Sequence, residues 1–465
     1  MERQLLRTLR KICLLSMGFA LLVVIFSACG QEPPGAAGGG GENSITVAAI
    51  NNPDMELMQQ LAPEFTKETG IKVEFTLLPD QELRQKVTQD VAQGANAYDI
   101  VTISPYEIQS NWAENHWVEP LNGHFDGMSG KARSEYDLND VLKPVRTSLT
   151  VDGNLYALPF YGESNFTYYR KDLFEQAGLK MPENPTWDQI GQFAAKLDNP
   201  DKGQYGIILK GIADYGQLAP FITFENSYGA RWFDEDWRPQ FTSPEFERAA
   251  KDYVDLVQNY GEPGASSVGF NEGLGLMSQG KGAIWVDATV AAGALADPKT
   301  SKVADKIGYA MAPTQGCNNG SHWLYTWALA MESQSDSKDD AFKFMTWATS
   351  KDYVKLVAER NSWAQVPPGT RYSTYDSAEY RKVAPWAETT LKSINTATPN
   401  DPSCLPVPYT GTAQINIPEY ADWAFNFGQY FSAAVAGNKS VDEWLQESED
   451  YTTEVMKKAG YIKGG

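Results

Sequence analysis

From Ser44 onward, short apolar runs suited to strands alternate with amphipathic runs suited to helices, and this alternation constrains the fold more than any single motif. SITVAAI reads as a strand, MELMQQLAPEFTKETG as a helix ending at Gly70, and IKVEFTLL as a second strand. DQELRQKVTQDVAQG follows as a helix with Asp80 as N-cap and Gly94 as stop, and YDIVTIS is a short buried strand. The pattern predicts an α/β protein with parallel strands and helices on both faces, whose loops at the carboxyl ends of strands form binding crevices.

A second unit begins near VDGNLYALPFYGES, where DGNLYALPF has the pattern of a hairpin arm leading into a crossover. Thr186 caps the helix TWDQIGQFAAKL; strand YGIILKG, helix SPEFERAAKDYVDLVQNYG and helix NEGLGLMSQG then lead into strand GAIWVDATVAA. Late helices SKDDAFKFMTWATS, SKDYVKLVAERN and SVDEWLQESEDYTTEVMKKAG close the chain, and no internal repeat is visible. At 465 residues the chain exceeds one small core, which implies two or more domains or one large α/β body.

The N-terminus bears on compartment. Arg3, Arg7, Arg10 and Lys11 precede the apolar run ICLLSMGFALLVVIFSAC, the layout of a secretory signal; as a permanent transmembrane helix the run is marginal in length. Ser27 and Ala28 before Cys29 are similar to a bacterial lipoprotein box, with Phe26 where an aliphatic residue is expected. On this reading residues 1–28 are removed, Cys29 carries lipid, and the Pro/Gly-rich residues 29–43 form a flexible tether. Loss of the leader makes the net charge three units more negative than the −20 of the full chain, which argues against nucleic acid and anionic lipid as partners. Membrane association then rests on the lipid alone.

Cys13 and Cys29 lie in the leader, leaving Cys317 and Cys404 in an exported body, either as a disulfide or as two buried thiols. His116, His124 and His322 have no ligand spacing, so neither a metal nor another cofactor is expected. GLMSQGKG (275–282) imitates a phosphate loop but has Gly282 in place of Ser or Thr, and runs helix, glycine, strand instead of strand, loop, helix.

Aromatic residues and acids collect instead at predicted strand ends: NNPDM (51–55), SPYE (104–107), FYGES (160–164), ADYG (213–216), YGARWF (228–233), WVDAT (285–289), SHWLYTW (321–327) and NSWAQVP (361–367). This combination suits a polyhydroxylated ligand, with aromatic faces on C–H surfaces and carboxylates or amides on hydroxyls. Trp327, Trp347 and Trp444 are assigned to the core. Asp287 interrupts an apolar strand, where a buried unpaired carboxylate costs several kcal/mol. Two readings stand: with Trp285 it forms one cleft wall, or it caps the following turn.

SITVAAINNPDMELM, YDIVTISPYE, YALPFYGESNFTYYRKDLFEQAGL, TWDQI, GASSVGFNEGLGLMSQGKGAIWVDAT and WATSKDYVKLVAERNSWAQVPPGTRYSTY together resemble the family 1 extracellular solute-binding proteins of ABC importers, nearest their sorbitol and mannitol binding branch. The resemblance runs from Ser44 to Tyr461; FYGES, GFNE with WVDAT, and PPGTR are its more specific marks. It implies a two-lobed periplasmic-binding-protein fold whose hinge crossovers let the lobes close on one sugar or sugar alcohol, for delivery to a permease by a monomer. It places residues 44–160 in the first lobe, 161–320 in the second, 321–350 back in the first, and 351–465 in C-terminal helices mainly on the second. Tyr215 stands where the polyol branch is expected to carry tryptophan.

The residues expected to bind are Asp54, Glu107, Glu163 and Asp287 as hydroxyl acceptors and Asn52 as an amide partner. Tyr106, Tyr161, Tyr215, Trp285, Trp323 and Trp363 are expected as aromatic contacts, with Arg231 donating to a hydroxyl or orienting an acid. No catalytic residue is assigned, and no nucleophile elbow is present. A tethered glycoside hydrolase using a carboxylate pair across the cleft is the alternative, and a scaffold or adhesion protein is a third reading against which the lack of repeats counts.

Overall fold

A computed structural model of the protein describes residues 43–462. The leader, the lipidation assignment at Cys29 and the tether up to residue 42 lie outside the described residues. Strands β1 (Ser44–Ile50), β2 (Lys72–Leu78) and β3 (Ile100–Ile103) belong to the first sheet, with helices α1 (Pro53–Thr69) and α2 (Asp80–Gln93) as their connections. The hairpin β4 (Thr150–Val151) and β5 (Asn154–Leu155) turns at Asp152 and Gly153, both at positive φ, and feeds β6 (Ala157–Glu163). β6 passes through Ser164 directly into β7 (Asn165–Arg170) of the second sheet.

The second lobe adds α3 (Trp187–Leu197), β8 (Tyr205–Ile208), α4 (Ala219–Ser227), α5 (Pro244–Tyr260), α6 (Phe270–Ser278), β9 (Gly282–Ala288) and β10 (Ile307–Met311). The chain returns to the first sheet as β11 (Tyr325–Met331), followed by α7 (Lys338–Ala348), α8 (Lys351–Arg360), α9 (Ala387–Thr396), α10 (Tyr420–Val435) and α11 (Val441–Lys458). Strand orders are β2-β1-β3-β11-β6 and β10-β7-β9-β8. β1 is parallel to β2 and β3, and β8 to β9, but β11 is antiparallel to β3 and β6, and β7 to β9 and β10. The expected parallel pairing holds within β1–β3 and between β8 and β9, whereas the strands that cross from the other lobe, β7 and β11, enter each sheet from its opposite end and pair antiparallel.

Local signals explain most element ends. Gly70 and Gly94 close α1 and α2 in the left-handed region, and Thr186 caps α3 in a reciprocal box with Gln189. Asp80 is not the N-cap of α2; Pro79 holds that position, and the Asp80 carboxylate turns to Arg84 one helical turn on. The C-terminal helices 351–465 contact both lobes. Tyr353 of α8 packs on Phe160 and Trp347 in the first lobe, α9 touches β6 of the first sheet and β7 and β10 of the second, and α10 and α11 build on the second.

Two sequence marks meet in space. Gly162 of FYGES donates its backbone N–H to Pro368 of PPGTR, and a Cβ on Gly369, whose φ is +70°, would stand 1.8 Å from the Gly162 carbonyl oxygen. Glycine is required there by close backbone approach and by φ together. Arg371 of the same mark is buried, donating to the carbonyls of Thr349 and Tyr136 and to Asp140. Cys317 and Cys404 form a disulfide that joins the β10–β11 crossover to the segment before α10.

Candidate functional site

Between the lobes lies a cleft of about 570 Å³, within the roughly 300–1,000 Å³ of small-molecule sites. It forms where the alternation predicted, at carboxyl ends of strands: Asn51 and Asn52 follow β1, Pro79 and Asp80 follow β2, Lys210 follows β8, and Ala288 ends β9. Tyr161 and Glu163 enter from the crossover strand β6, and Trp323, Tyr325 and Trp327 from the return to β11. The lobes touch at the rim, where Asn271 donates to the Asn51 carbonyl, and Gly216 lies against Asp80 and Arg84 with no room for a larger side chain to settle freely.

Asn52 caps α1 by accepting from the Met55 N–H at 3.0 Å, and its amide donates to the Tyr161 hydroxyl at 2.7 Å. One end of the cleft is thereby set by a helix start and a hinge strand together. Glu163 has a carboxyl oxygen without a partner, and burial pushes its pKa up to about 8, with Asp287, Asp54 and Asp80 adding to the rise and Lys210 opposing it. Burial thus favours the neutral carboxylic acid form of Glu163, which can donate one hydrogen bond and accept others. Asp214 accepts from the Gly216 N–H at 2.9 Å, and burial raises its pKa to about 6.

Behind this surface a fixed ion cluster holds the first-lobe wall. The Arg84 guanidinium donates to Asp80 at 2.6 Å, to Glu107 and to the Tyr325 hydroxyl, and lies 5.3 Å from the Trp327 ring centre. Glu107 also accepts from the Ser104 hydroxyl and N–H, so its acceptor capacity is spent inside the protein. Trp323 is fixed by its N–H to Asn165, whose own amide donates to the Ser321 carbonyl.

Of the sequence-predicted residues, Asn52, Tyr161, Glu163 and Trp323 line the cleft. Asp54 lines a smaller adjoining cavity of about 300 Å³ that shares Asn52, Phe270 and Val290 with it; burial raises the Asp54 pKa to about 7. The other expected residues lie outside both cavities. Glu107 is held behind Arg84, and Tyr106 and Tyr215 pack on Tyr420 in the seam between lobes. Trp285 is fully buried and stacks on Tyr168, while Asp287 is fully buried against Lys210 at 3.1 Å. Trp363 sits in a short helical turn and lines neither cavity, and Arg231 donates to the Pro406 carbonyl. Among the described residues no metal-ligating cluster is present, and no helix is long and apolar enough to cross a membrane.

Sequence reasoning missed Lys210, Phe270 and Trp327 as cleft residues. Trp327 is in the core, as its place on a strand face suggests, and it also lines the cleft, with Arg84 over its ring. Lys210 did leave a signal: it ends the apolar strand YGIILK, at the carboxyl end where binding loops start.

The raised acids make stability depend on pH. Glu163 and Asp54 hold their protons to about pH 8 and 7 when folded, but release them near 4.5 and 3.8 when unfolded. As pH rises through that window the unfolded state gains charge first, so the folded state loses relative stability. The thermal midpoint is expected to be higher near pH 5 than near pH 8, by on the order of several degrees. Scanning calorimetry across that range checks it; a flat or rising profile contradicts it.

A family model described as bacterial extracellular solute-binding protein matches residues 49–355. The chain is 47% identical over 422 residues to the mannitol-binding protein of Pseudomonas aeruginosa, covering 90% of this chain and 94% of that one. It is 26% identical over 356 residues to the erythritol/L-threitol-binding protein of Mycolicibacterium smegmatis, covering 74% and 73%. A crystal structure of an ABC transporter solute-binding protein from Agrobacterium vitis with bound D-mannitol is 49% identical, with a TM-score of 0.87 over 90% of this chain and 100% of that one.

Proposed function

This chain belongs to the bacterial extracellular solute-binding proteins, and from that premise we propose that it captures a linear polyol, mannitol foremost, by closing its two lobes. It is an exported binding component and not an enzyme. The observation that carries the ligand class is the lining of the cleft: aromatic Tyr161, Trp323 and Trp327 alternate with Asp80, Glu163 and Lys210 in one 570 Å³ space. Aromatic faces cover C–H edges of a polyol, and the polar groups supply both donors and acceptors for its hydroxyls. The relatives that bind mannitol, erythritol and L-threitol support the same class.

Mechanistically, a ligand that contacts both lobes favours the closed state by its differential affinity, and a permease then reads the closed shape. Asn52, Asp80 and the hinge residue Glu163 hold the ligand from one side, and Lys210, Asp214 and Phe270 from the other. Delivery to an ABC permease and attachment through a lipid on Cys29 belong to this proposal. So does action as a monomer. Calorimetric titration of the body from Ser44 onward against mannitol, sorbitol, arabitol, glucose and maltose tests it. One-site binding of a linear polyol with nothing consumed is the expected result. Binding of a cyclic sugar alone moves the ligand class, and any new product revives the glycoside hydrolase.

A further inference from the structure

Lys210 is the one cationic side chain among the described residues that line the cleft, whereas Asp80, Glu163, Asp214 and Glu272 are acids. Its position follows from strand register. Ile208 of β8 lies opposite Trp285 of β9 in parallel pairing, so two residues further Lys210 comes level with Asp287. Their charged atoms meet at 3.1 Å, with Asp287 wholly buried and Lys210 at 8% exposure. The Lys210 backbone is pinned by the Tyr253 hydroxyl, which donates to its carbonyl at 2.7 Å, and its ammonium lies 5.7 Å from the Phe270 ring centre.

An ammonium carries three N–H donors, and pairing with Asp287 leaves at least two. Asp287 in turn has one oxygen that accepts from the Ala288 N–H and pairs with Lys210, and a second that has no partner. Such a pair costs desolvation and is weak evidence for stability, so its presence in a ligand cleft calls for a functional reason.

We propose that Lys210 is the fixed donor to vicinal hydroxyl oxygens of the polyol, and that Asp287 is its positioning residue, cancelling the charge so that neutral polyols are taken in preference to sugar acids of the same length. The carboxylate in the strand thus acts at one remove: it aims the lysine and neutralises it. This rests on the polyol reading above. Asp214 and Glu272 elsewhere in the cleft repel an anionic ligand, and a lysine already paired has little charge left to attract one.

The test is calorimetric affinity for D-mannitol and D-mannonate in wild type, K210M, D287N and the double variant K210M/D287N, with the thermal midpoint of each recorded. The double variant leaves no lone buried charge, which keeps the comparison valid if D287N folds poorly. K210M is expected to weaken mannitol about tenfold or more, the loss of a hydrogen bond from a charged donor. D287N should weaken mannitol and raise the mannonate-to-mannitol affinity ratio about tenfold, because the lysine charge is now uncancelled; the double variant should show the mannitol loss without that rise. A merely structural role for Asp287 would move both ligands alike. K210M binding mannitol within about twofold of wild type, or D287N shifting both ligands by one factor, overturns the proposal. Wild type that binds no polyol overturns the reading beneath it instead.

Discussion

Arg84→Met is expected to lower the free energy of unfolding by about 3–5 kcal/mol, the cost of breaking a buried ion pair by removing one partner. Arg84 is 6% exposed and serves three acceptors at once, Asp80, Glu107 and the Tyr325 hydroxyl. Without it, two carboxylates face each other behind the cleft wall with no cation between them. Glu107 keeps its bonds to Ser104, but Asp80 keeps none of comparable strength and its side chain leaves the position from which it lines the cleft. Ligand affinity should therefore fall together with stability. Arg84→Lys restores the charge but not the planar fork, so it should recover only part of the loss. Denaturant unfolding of both variants decides the matter. A Met variant within about 0.5 kcal/mol of wild type would mean that the cluster contributes nothing net.

Reducing the Cys317–Cys404 disulfide, or replacing both cysteines by serine, is expected to cost about 2–5 kcal/mol. The bridge closes a loop between residues 87 apart in sequence, which in the chain-entropy account places the effect in the upper part of that range. It has a second consequence at the site. The bridge, the bond from the Asn319 amide to Asp401, and the bond from the Gly320 N–H to Thr398 together hold the segment that carries Trp323 into the cleft. Loss of the bridge should lower ligand affinity as well, by less than removal of Trp323 itself. Guanidinium unfolding with and without reductant, followed by titration of the reduced protein, measures both. Coincident unfolding curves would sink the prediction.

Much of the fold was legible because local chemistry and tertiary structure agree. The α1 and α2 helices end on glycines at positive φ, Thr186 forms its box with Gln189, and the GLMSQGKG stretch runs helix, glycine, strand. Helix α4 was not legible. In α4 every residue from Pro220 to Ser227 is buried, so no polar face marks a 3.6-residue period. The periodicity that reveals a helix is a record of one face meeting water, and a helix enclosed on all sides leaves none.

The α/β class, the crevice at strand ends, the pairing candidates Cys317 and Cys404, and the kind of residue that gathers around the cleft can all be read in the chain without its fold. Each of these follows from short-range pattern or composition. Which of those residues face the cleft depends on what packs against them across the sheet and between the lobes. Trp285 and Asp287 share a strand face as alternation requires, but what that face meets is set by β7, β8 and α6, which arrive from elsewhere in the chain. Glu107 and Asp80 lie 27 positions apart, and only the Arg84 side chain between them turns one into a buried anchor and the other into a cleft acid. Gly162 and Gly369 could be seen as marks but not as a contact. Side-chain direction is local, whereas burial is a property of whatever packs opposite, and that partner is chosen only when the two lobes are assembled.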